Sequence, residues 1–240
     1  MQKWINLTEV KCDPARDEVF RQWIYDIHMP DVLDTPGFLE ARQYVSKEYR
    51  DGRGTYLQIY NIETDDIDQT MKVRLAAREA ERQRGRYSVN RNNLIIPVWR
   101  DVLWRQLAEG VASVSPKPLK EKWVNLVEVN CDPSREKEFM DWYVNMHMPD
   151  VLKTPGFVRA RQYVMKEFRD GRGKYLHLYY IETDDIDRTI KIRLEKREEE
   201  ARQGRSSGAH NRLTTHVWRD VLWRQVVERV VPDKSGTPHP

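Results

Sequence analysis

Histidine and tyrosine are the side chains of this 240-residue chain best suited to acid–base chemistry. His28 and His147 begin identical His-Met-Pro-Asp segments, and His177 lies in a run of tyrosine and aliphatic residues. An imidazole has an unperturbed pKa of about 6.5, so it can accept or donate a proton near neutral pH. A neighbouring tyrosine hydroxyl can donate a proton or stabilise an oxyanion. These residue types predict proton transfer on a bound small molecule.

Strand alternation predicts the direction in which these side chains point. Successive side chains of a strand point to opposite faces of the sheet. Around His177 we expect the aliphatic set, Leu176 and Leu178, to pack on helices, so that His177 and Tyr179 point inward. In the other segments the same argument directs inward Trp123, Asn125, Arg161, Tyr163, His216 and Trp218.

The candidate site residues follow from this placement. The predicted catalytic residues are His147, His177, Tyr163, Tyr179 and His28. The predicted substrate-binding residues are Arg161, Asn125, His216, Trp218, Trp123, Tyr44 and Tyr60. No cluster of His, Cys or Asp has zinc-ligand spacing, so we predict no metal ligands. An aromatic interior with a few polar groups suits a flat, apolar ligand.

Each of these side chains also has a structural explanation. Interior aromatic rings often serve packing alone. His28 and His147 are each expected to end a helix, where an imidazolium interacts favourably with the helix dipole. Arg42 could pair with Asp31, and the equivalent Arg161 with Asp150. The bare sequence leaves the catalytic and structural interpretations open.

The elements that must position these residues come from an internal duplication. Lys3 aligns with Lys122, and the register then holds without a gap to Gln106 and Gln225. All eight tryptophans pair between the two copies, as do His28 and His147. The other histidines have no counterpart: Gln58 stands in place of His177, and Pro97 in place of His216. If the histidines matter, the two copies have diverged in function.

Each copy shows the pattern β-α-β-β-α-β of a ferredoxin-like fold. Asp13-Pro14 is typical of a helix start, and Pro30 predicts that this helix ends near His28. Asp51-Gly52-Arg53-Gly54 predicts a hairpin turn, and residues 98–106 fit either a strand or a helix. The fold class is therefore α+β: two tandem ferredoxin-like repeats whose antiparallel sheets pack into one α+β barrel.

Four segments are expected along the chain. Repeat 1 covers residues 1–108, and a Ser- and Pro-containing linker covers 109–121. Repeat 2 covers residues 122–231, and a disordered tail covers 232–240.

Composition excludes several classes of function. The chain has 41 Lys and Arg against 38 Asp and Glu, a net charge of +3 that argues against nucleic-acid or membrane partners. No apolar stretch approaches the roughly 20 residues of a membrane span, and the start lacks the apolar run of a signal peptide. Cys12 and Cys131 occupy equivalent positions and are expected to be reduced, buried thiols of a cytoplasmic protein. Phosphate-loop and nucleophile-elbow motifs are absent from the sequence.

Three shared motifs resemble a known superfamily: His28-Met29-Pro30, then Pro36-Gly37-Phe38, then Arg42 and Tyr44. They are similar to those of the dimeric α+β barrel superfamily, especially its EthD-like and antibiotic-biosynthesis-monooxygenase-like members. The resemblance extends over both repeats. It implies the barrel fold, and it makes a homodimer of the fused chain conceivable. The resemblance does not imply one reaction, because the superfamily includes cofactor-free oxygenases, isomerases and lyases as well as haem enzymes.

The sequence therefore favours a cofactor-independent enzyme acting on a small apolar aromatic or ketonic substrate. Histidine–tyrosine acid–base chemistry would drive elimination, C–C cleavage or isomerisation, with His147 or His177 as the base and Tyr163 or Tyr179 as the acid. One alternative is a haem enzyme with one of these histidines as axial ligand. Others are a cofactor-free monooxygenase and a non-catalytic ligand-binding module.

Overall fold

The computed structural model describes residues 1–48, 54–87, 94–95, 98–113, 121–168, 172–206 and 212–231. The chain divides into two compact units. Unit 1 comprises Met1–Tyr44, Tyr49–Val102 and Val226–Pro240, and unit 2 comprises Val45–Glu48 and Leu103–Gln225. None of the helices in the described ranges is long and apolar enough to cross a membrane.

Repeat 1 contains four strands and a helical layer. Its strands are β1 (Gln2–Val10), β2 (Phe38–Ser46), β3 (Tyr56–Thr64) and β4 (Val98–Val111). After the 3₁₀ turn Pro14–Arg16, its helices are α1 (Asp17–Trp23), the π-helical segment Ile24–His28, α2 (Met29–Leu33) and α3 (Ile67–Gln83).

Repeat 2 contains the same elements in the same order. Its strands are β5 (Glu121–Cys131), β6 (Phe157–Met165), β7 (Tyr175–Thr183) and β8 (Thr214–Val230). After the 3₁₀ turn Pro133–Arg135, its helices are α4 (Glu136–Trp142), the π-helical segment Tyr143–His147, α5 (Met148–Leu152) and α6 (Ile186–Arg202).

The strands are hydrogen-bonded in the order β1-β3-β2-β8-β5-β7-β6-β4, which closes into a barrel. The pairing is antiparallel in repeat 1, from Gln2 opposite Thr64 to Val10 opposite Tyr56. In repeat 2, β7 lies between β5 and β6 with the same antiparallel sense. The predicted α+β class and duplicated ferredoxin-like barrel are confirmed.

The last strand of each repeat is long and continuous. β4 spans residues 98–106 as strand, which excludes the helical alternative for this segment. Within unit 2 it pairs with β6 from Trp104 opposite Met165 to Val111 opposite Arg159, with a bulge between Gln106 and Ala108. β4 thus extends into the segment predicted as linker. Residues 114–120 of that segment, and the predicted tail at 232–240, lie outside the described residues.

The predicted helix end near His28 is wrong, because a π-helical segment carries the helix past Pro30. The Met29 N–H donates to the Ile24 carbonyl, five residues back, and α2 then continues to Leu33. The extra residue in this turn shifts the register, so that Pro30 lies in the first turn of a new α-helical segment. A missing N–H is tolerated there. In repeat 2 the Met148 N–H donates to the Tyr143 carbonyl in the same way.

A glycine lets β3 begin close against β1. The Gly54 N–H donates to the buried Glu9 carboxylate at 2.7 Å. A Cβ at Gly54 would lie 2.5 Å from Glu9 Cγ and 2.7 Å from the Val10 carbonyl oxygen, too close for any other residue. The rest of the predicted turn, residues 51–53, lies outside the described residues.

Candidate functional site

His147 and Tyr179 form a polar pair between the helical layer and the sheet of repeat 2. His147 Nε2 lies 3.1 Å from the Tyr179 hydroxyl oxygen. The Trp142 ring stacks on the imidazole at 4.8 Å between centroids. The Trp142 indole N–H donates to the Arg205 carbonyl at 2.9 Å, which fixes the ring on which His147 rests. The imidazole is therefore held on one face by an anchored indole and at one nitrogen by a tyrosine hydroxyl.

A second pair of rings lies deeper in the same layer. Tyr143, at the start of the π-helical segment, stacks on His177 with 3.9 Å between ring centroids. Both residues are buried. His177 Nε2 also lies 3.4 Å from the side-chain amide nitrogen of Gln162. Four rings of repeat 2 thus pack in succession from Tyr179 through His147 and Tyr143 to His177.

Burial keeps these groups uncharged at neutral pH. It lowers the pKa of His147 to about 3, helped by the positive charges of Arg193 and Arg197 and opposed by Asp150. Part of residue 147 still contacts solvent, but its ring is enclosed by aromatic neighbours. Burial lowers the pKa of His177 well below its usual value and raises that of Tyr179. A protonated phenol therefore meets a neutral imidazole, and Tyr179 can donate its hydrogen to His147 Nε2.

Repeat 1 contains the corresponding pair, His28 and Tyr60. The Trp23 ring stacks on His28 at 4.8 Å, and its indole N–H donates to the Arg86 carbonyl at 2.8 Å. The His28 and Tyr60 rings meet edge-on at 6.1 Å, against 6.2 Å for His147 and Tyr179. Burial lowers the pKa of His28 to about 3, with further lowering by Arg74 and Arg78 and an opposing effect of Asp31. Each repeat thus has a neutral imidazole beside a buried phenol.

The predicted direction of two strands is inverted. Tyr175, Tyr179 and Ile181 of β7 belong to the core cluster formed with the α4 side, and His177 stacks there on Tyr143. The same holds in β5, where Trp123 lies in that cluster. The helical layer presents aromatic rings, which pack on the aromatic strand residues. The aliphatic set, including Leu126, Leu176 and Leu178, is buried on the opposite face.

Tyr163 and Arg161 lie on the face of β6 opposite the helices, and this separates them from the histidines. Arg161 donates to Glu109 at 2.9 Å and lies over the Tyr180 ring at 5.6 Å. Its expected structural partner, Asp150, pairs with other groups, Arg205 and Lys153. Tyr163 is fully buried and cannot act with His147 or His177 across the sheet.

Arg42 of repeat 1 shows the same exchange of partners. It pairs with Glu40 and with Glu228, the latter at 2.8 Å. Asp31, its expected partner, is bound by Arg86 through two nitrogens. Arg42 and Arg161 thus form salt bridges, as the structural alternative expects, but their partners are other carboxylates than Asp31 and Asp150.

Two of the predicted substrate-binding residues lie at exposed positions. His216 is exposed, and Trp218, whose ring lies 4.3 Å from it, is 37% exposed, so the prediction that they point inward is wrong. Asn125 is half-buried and lies directly opposite Tyr179 in the β5–β7 register, and its side-chain amide donates to Asp220 at 2.7 Å. In β8 the burial alternates irregularly, which a simple parity argument does not anticipate.

The remaining candidates are accounted for as follows. Trp123 is buried and donates to Glu121 at 3.1 Å. Tyr44 is buried, and Tyr60 belongs to the His28 pair. His210, His239 and Pro97 lie outside the described residues.

Three buried glutamines near the histidine–tyrosine pairs were not identified from the sequence. Gln43 and Gln58 of repeat 1, and Gln162 of repeat 2, are buried on the helix-facing side. Tyr143 was missed as well, although its position four residues before His147 places both on one side of a helix. The comparison of repeats contained the signal, because Ile24 stands in place of Tyr143 and Gln58 in place of His177. Within the described ranges, no three His, Cys, Asp or Glu residues come together to hold a metal ion.

Solved structures share this architecture at low sequence identity. An anthrone oxidase-like protein matches with a TM-score of 0.61 and 13% identity, over 97% of this chain and 94% of that one. A protein of Lactobacillus acidophilus NCFM, provisionally assigned as a monooxygenase, matches with a TM-score of 0.62 and 7% identity over 96% and 97%. A variant chlorite dismutase of Candidatus Nitrospira defluvii matches with a TM-score of 0.56 and 11% identity over 94% and 92%.

No protein-family model matches the chain, and no curated protein matches it. Identities this low show the fold alone. The shared feature is the duplicated α+β barrel, so the resemblance stated from the sequence is confirmed for the fold.

Proposed function

We propose that the chain is a cofactor-independent enzyme that moves a proton on a small, largely apolar aromatic or ketonic substrate. The observation that carries this proposal is the contact of 3.1 Å between His147 Nε2 and the Tyr179 hydroxyl, repeated in arrangement by His28 and Tyr60. Burial holds both partners neutral, so the imidazole can accept a proton and the phenol can donate one, and the same burial makes the imidazole a weaker base and the phenol a weaker acid than in water.

The reaction uses the two groups on different atoms of the substrate. When the substrate binds, the tyrosine hydroxyl turns its hydrogen from the imidazole to the carbonyl oxygen, which frees the lone pair of Nε2. The imidazole Nε2 then takes a proton from a carbon that is next to the carbonyl or conjugated with it through an aromatic ring, and the electron pair of that C–H bond moves to the carbonyl oxygen. The tyrosine hydroxyl donates a hydrogen bond to the resulting oxyanion. Return of the proton at another carbon gives an isomer, and departure of a neighbouring group gives an elimination product.

Arginines of the long helices favour the anionic intermediate. Arg193 and Arg197 act on His147 in repeat 2, and Arg74 and Arg78 act on His28 in repeat 1. Arg193 is paired with Glu200 and Arg74 with Glu81, so it is the positive potential remaining at these arginines, together with that of Arg197 and Arg78, that disfavours an imidazolium and favours an enolate or phenolate beside it. In a poorly solvated layer such electrostatic effects are stronger than in water.

A cofactor-free monooxygenase is the second candidate, favoured by the anthrone oxidase-like neighbour and the neighbour assigned as a monooxygenase. The first step is the same proton removal. The carbanion then transfers electrons to molecular oxygen, which is the oxidant, and the C–O bond formed at the deprotonated carbon gives a hydroperoxide after protonation. Loss of water from the hydroperoxide breaks its O–O bond and leaves a carbonyl group, so the second oxygen atom departs as water. Oxygen consumption during turnover separates this candidate from an isomerase or a lyase.

A haem enzyme is a further alternative, but the residues around the histidines do not fit an axial ligand as they stand. His147 Nε2 faces the Tyr179 hydroxyl, and one face of His177 is covered by Tyr143 at 3.9 Å. A visible spectrum before and after dithionite tests the point: we expect only tyrosine and tryptophan absorption. A Soret band that shifts on reduction would replace the proposal by the haem alternative.

Deuterium exchange into anthrone, a flat ketone with an enolisable methylene group, tests the proposal without a known product. We expect the protein to accelerate exchange and a protein lacking both imidazoles, His28→Gln with His147→Gln, to lose about 10²- to 10⁴-fold of that rate. The exposed His216→Gln provides the matched control. Exchange that is unaffected in the double variant would refute acid–base catalysis. If ligand affinity is also independent of pH, the chain is a non-catalytic binding module.

A further inference from the structure

We propose that repeat 1 alone binds the ligand, and that the side-chain amides of Gln43 and Gln58 receive the oxo or oxyanion group of a flat carbonyl compound. The inference rests on the proposed function for the class of substrate, and it assigns the proton transfer to the His28–Tyr60 pair, which has the same arrangement as His147 and Tyr179. The corresponding region of repeat 2 has the same fold, but the rings of Tyr143 and His177 occupy the space.

Unpaired donors mark the region in repeat 1. Among the described residues, Gln43 finds no hydrogen-bond partner for either side-chain amide atom, although it is fully buried. The Gln58 amide nitrogen is unpaired as well, and this residue is 1% exposed. Buried donors without partners are rare and cost roughly 1–3 kcal/mol each. Two such donors together indicate that an acceptor is supplied from outside the chain.

The side-chain amides of Gln43 and Gln58 occupy neighbouring positions on the sheet. In repeat 2 the equivalent residues, Gln162 and His177, are directly opposite each other in the β6–β7 register and 3.4 Å apart. The Tyr60 hydroxyl lies 3.5 Å from Gln58 Oε1, so the oxygen of this amide faces Tyr60 and its nitrogen faces away. Tyr60 also meets His28, the base of the pair in repeat 1. An oxygen bound by the amides therefore lies next to the groups that move the proton.

Repeat 2 differs at the two positions that decide the available space. Tyr143 and His177 stand where repeat 1 has Ile24 and Gln58, and their rings are stacked at 3.9 Å. His177 also provides a partner for the Gln162 amide nitrogen. Of the two amide atoms of Gln162, only the oxygen is therefore unpaired. The Tyr143 hydroxyl is a buried donor without a hydrogen-bond partner, but it belongs to the ring that stacks on His177 and fills this space. The side-chain amide donor of Gln162 is therefore used within repeat 2, whereas those of Gln43 and Gln58 are available in repeat 1.

Binding displaces side chains of the helical layer, because the Gln43 amide is covered in the unliganded chain. His28 and Ile27 are the half-buried residues at the edge of this layer, so the ligand enters beside them. The ligand then exchanges the cost of two buried, unpaired donors for two hydrogen bonds. This exchange favours ligands with an acceptor oxygen over hydrocarbons of the same shape.

Equilibrium binding of 9-fluorenone tests the inference, since this flat ketone has no enolisable hydrogen and cannot turn over. We expect one site per chain and about tenfold or weaker binding of fluorene, which lacks the oxygen. Gln43→Leu should weaken binding of the ketone about tenfold while raising the melting temperature, because it removes unpaired buried donors. A merely structural glutamine would not lose affinity and gain stability together. Gln162→Leu is the matched control and should leave affinity unchanged.

Reciprocal exchanges between the repeats provide a second test. Ile24→Tyr with Gln58→His gives repeat 1 the rings of repeat 2 and should abolish 9-fluorenone binding. Tyr143→Ile with His177→Gln makes the opposite change and should preserve the original site. Two sites in the unaltered chain, loss of binding only in the repeat 2 variants, or no binding of 9-fluorenone would each overturn the inference. Normal binding without anthrone exchange would instead refute the proposed function and leave this inference standing.

Discussion

The Nε2 atom of His147 lies 3.1 Å from the hydroxyl oxygen of Tyr179, which joins the end of a π-helical segment to the middle of β7. The π-helical turn allows the helix to continue past Pro149 and so keeps His147 inside the helical layer. A helix that ended at this histidine would instead leave its ring at a solvated terminus. The same turn precedes Pro30 in repeat 1. The motif His-Met-Pro thus reflects a helix register that buries an imidazole.

Acid should destabilise the fold through its buried histidines. The pKa values of His28 and His147 are lowered from about 6.5 to about 3 on folding, so the unfolded chain binds more protons between these values. The free energy of unfolding should therefore fall as the pH drops below 6.5. Each histidine accounts for at most about 2 kcal/mol between pH 6.5 and pH 5. Urea unfolding at pH 7 and pH 5 measures the loss.

The variant His28→Gln with His147→Gln isolates this contribution. We expect its stability to change less than that of the unaltered chain between pH 7 and pH 5. Asp150, whose pKa is lowered by Arg205 and Lys153 against the opposing effect of burial, adds acid sensitivity only below its ordinary value of 3.8. An equal loss of stability in both proteins over this window would show that the histidines are already charged in the fold.

His177 should matter for stability rather than for catalysis. Its ring stacks on Tyr143 in repeat 2, and such a ring pair contributes about 0.5–1.5 kcal/mol beyond its buried area. We expect His177→Gln to lower the melting temperature by a few degrees and to leave the rate of anthrone exchange unchanged. His216→Gln, at an exposed position, should change neither. A large fall in rate at unchanged stability would make His177 a catalytic residue after all.

Gly54 should tolerate no side chain. An added Cβ would lie 2.7 Å from the Val10 carbonyl oxygen and 2.9 Å from its nitrogen, and the backbone of β1 cannot move aside independently. We expect Gly54→Ala to lower the free energy of unfolding by about 2 kcal/mol or more. The control is Gly85→Asn, since Gly85 has a φ of 70° with open space around it and asparagine adopts this conformation readily. Comparable losses in the two variants would mean that β1 and β3 approach less closely.

The sequence predicted the fold well because its main determinants are repeated and local. Paired tryptophans, capping aspartates and turn motifs recur in both copies, and each constrains one element wherever it occurs. The Asp66 and Asp185 side chains, for example, accept the N–H of the third residue along and begin the two long helices. Such local signals do not depend on which elements pack against each other in the fold.

The face of the sheet that meets the helices could not be predicted in the same way. In β7 the successive residues Leu176, His177, Leu178 and Tyr179 are all at most 4% exposed. Alternation separates the two sets, but when both faces are buried it does not say which set meets the helices. The aromatic side chains of the facing helix, Phe139, Trp142 and Tyr143, determine that the aromatic set of β7 packs against it.

The pH dependence of turnover should report a histidine that is already neutral. Because the pKa of His28 lies at about 3, the imidazole stays available as a base throughout the range from pH 5 to pH 8. For anthrone exchange, corrected for the spontaneous rate, we expect kcat/KM to show no inflection near pH 6.5. Gln43→Leu should lower this rate at every pH without altering the shape of the profile, since an amide does not titrate. An acidic limb with a midpoint near 6.5 would instead mean that the reacting histidine is solvated in the free enzyme.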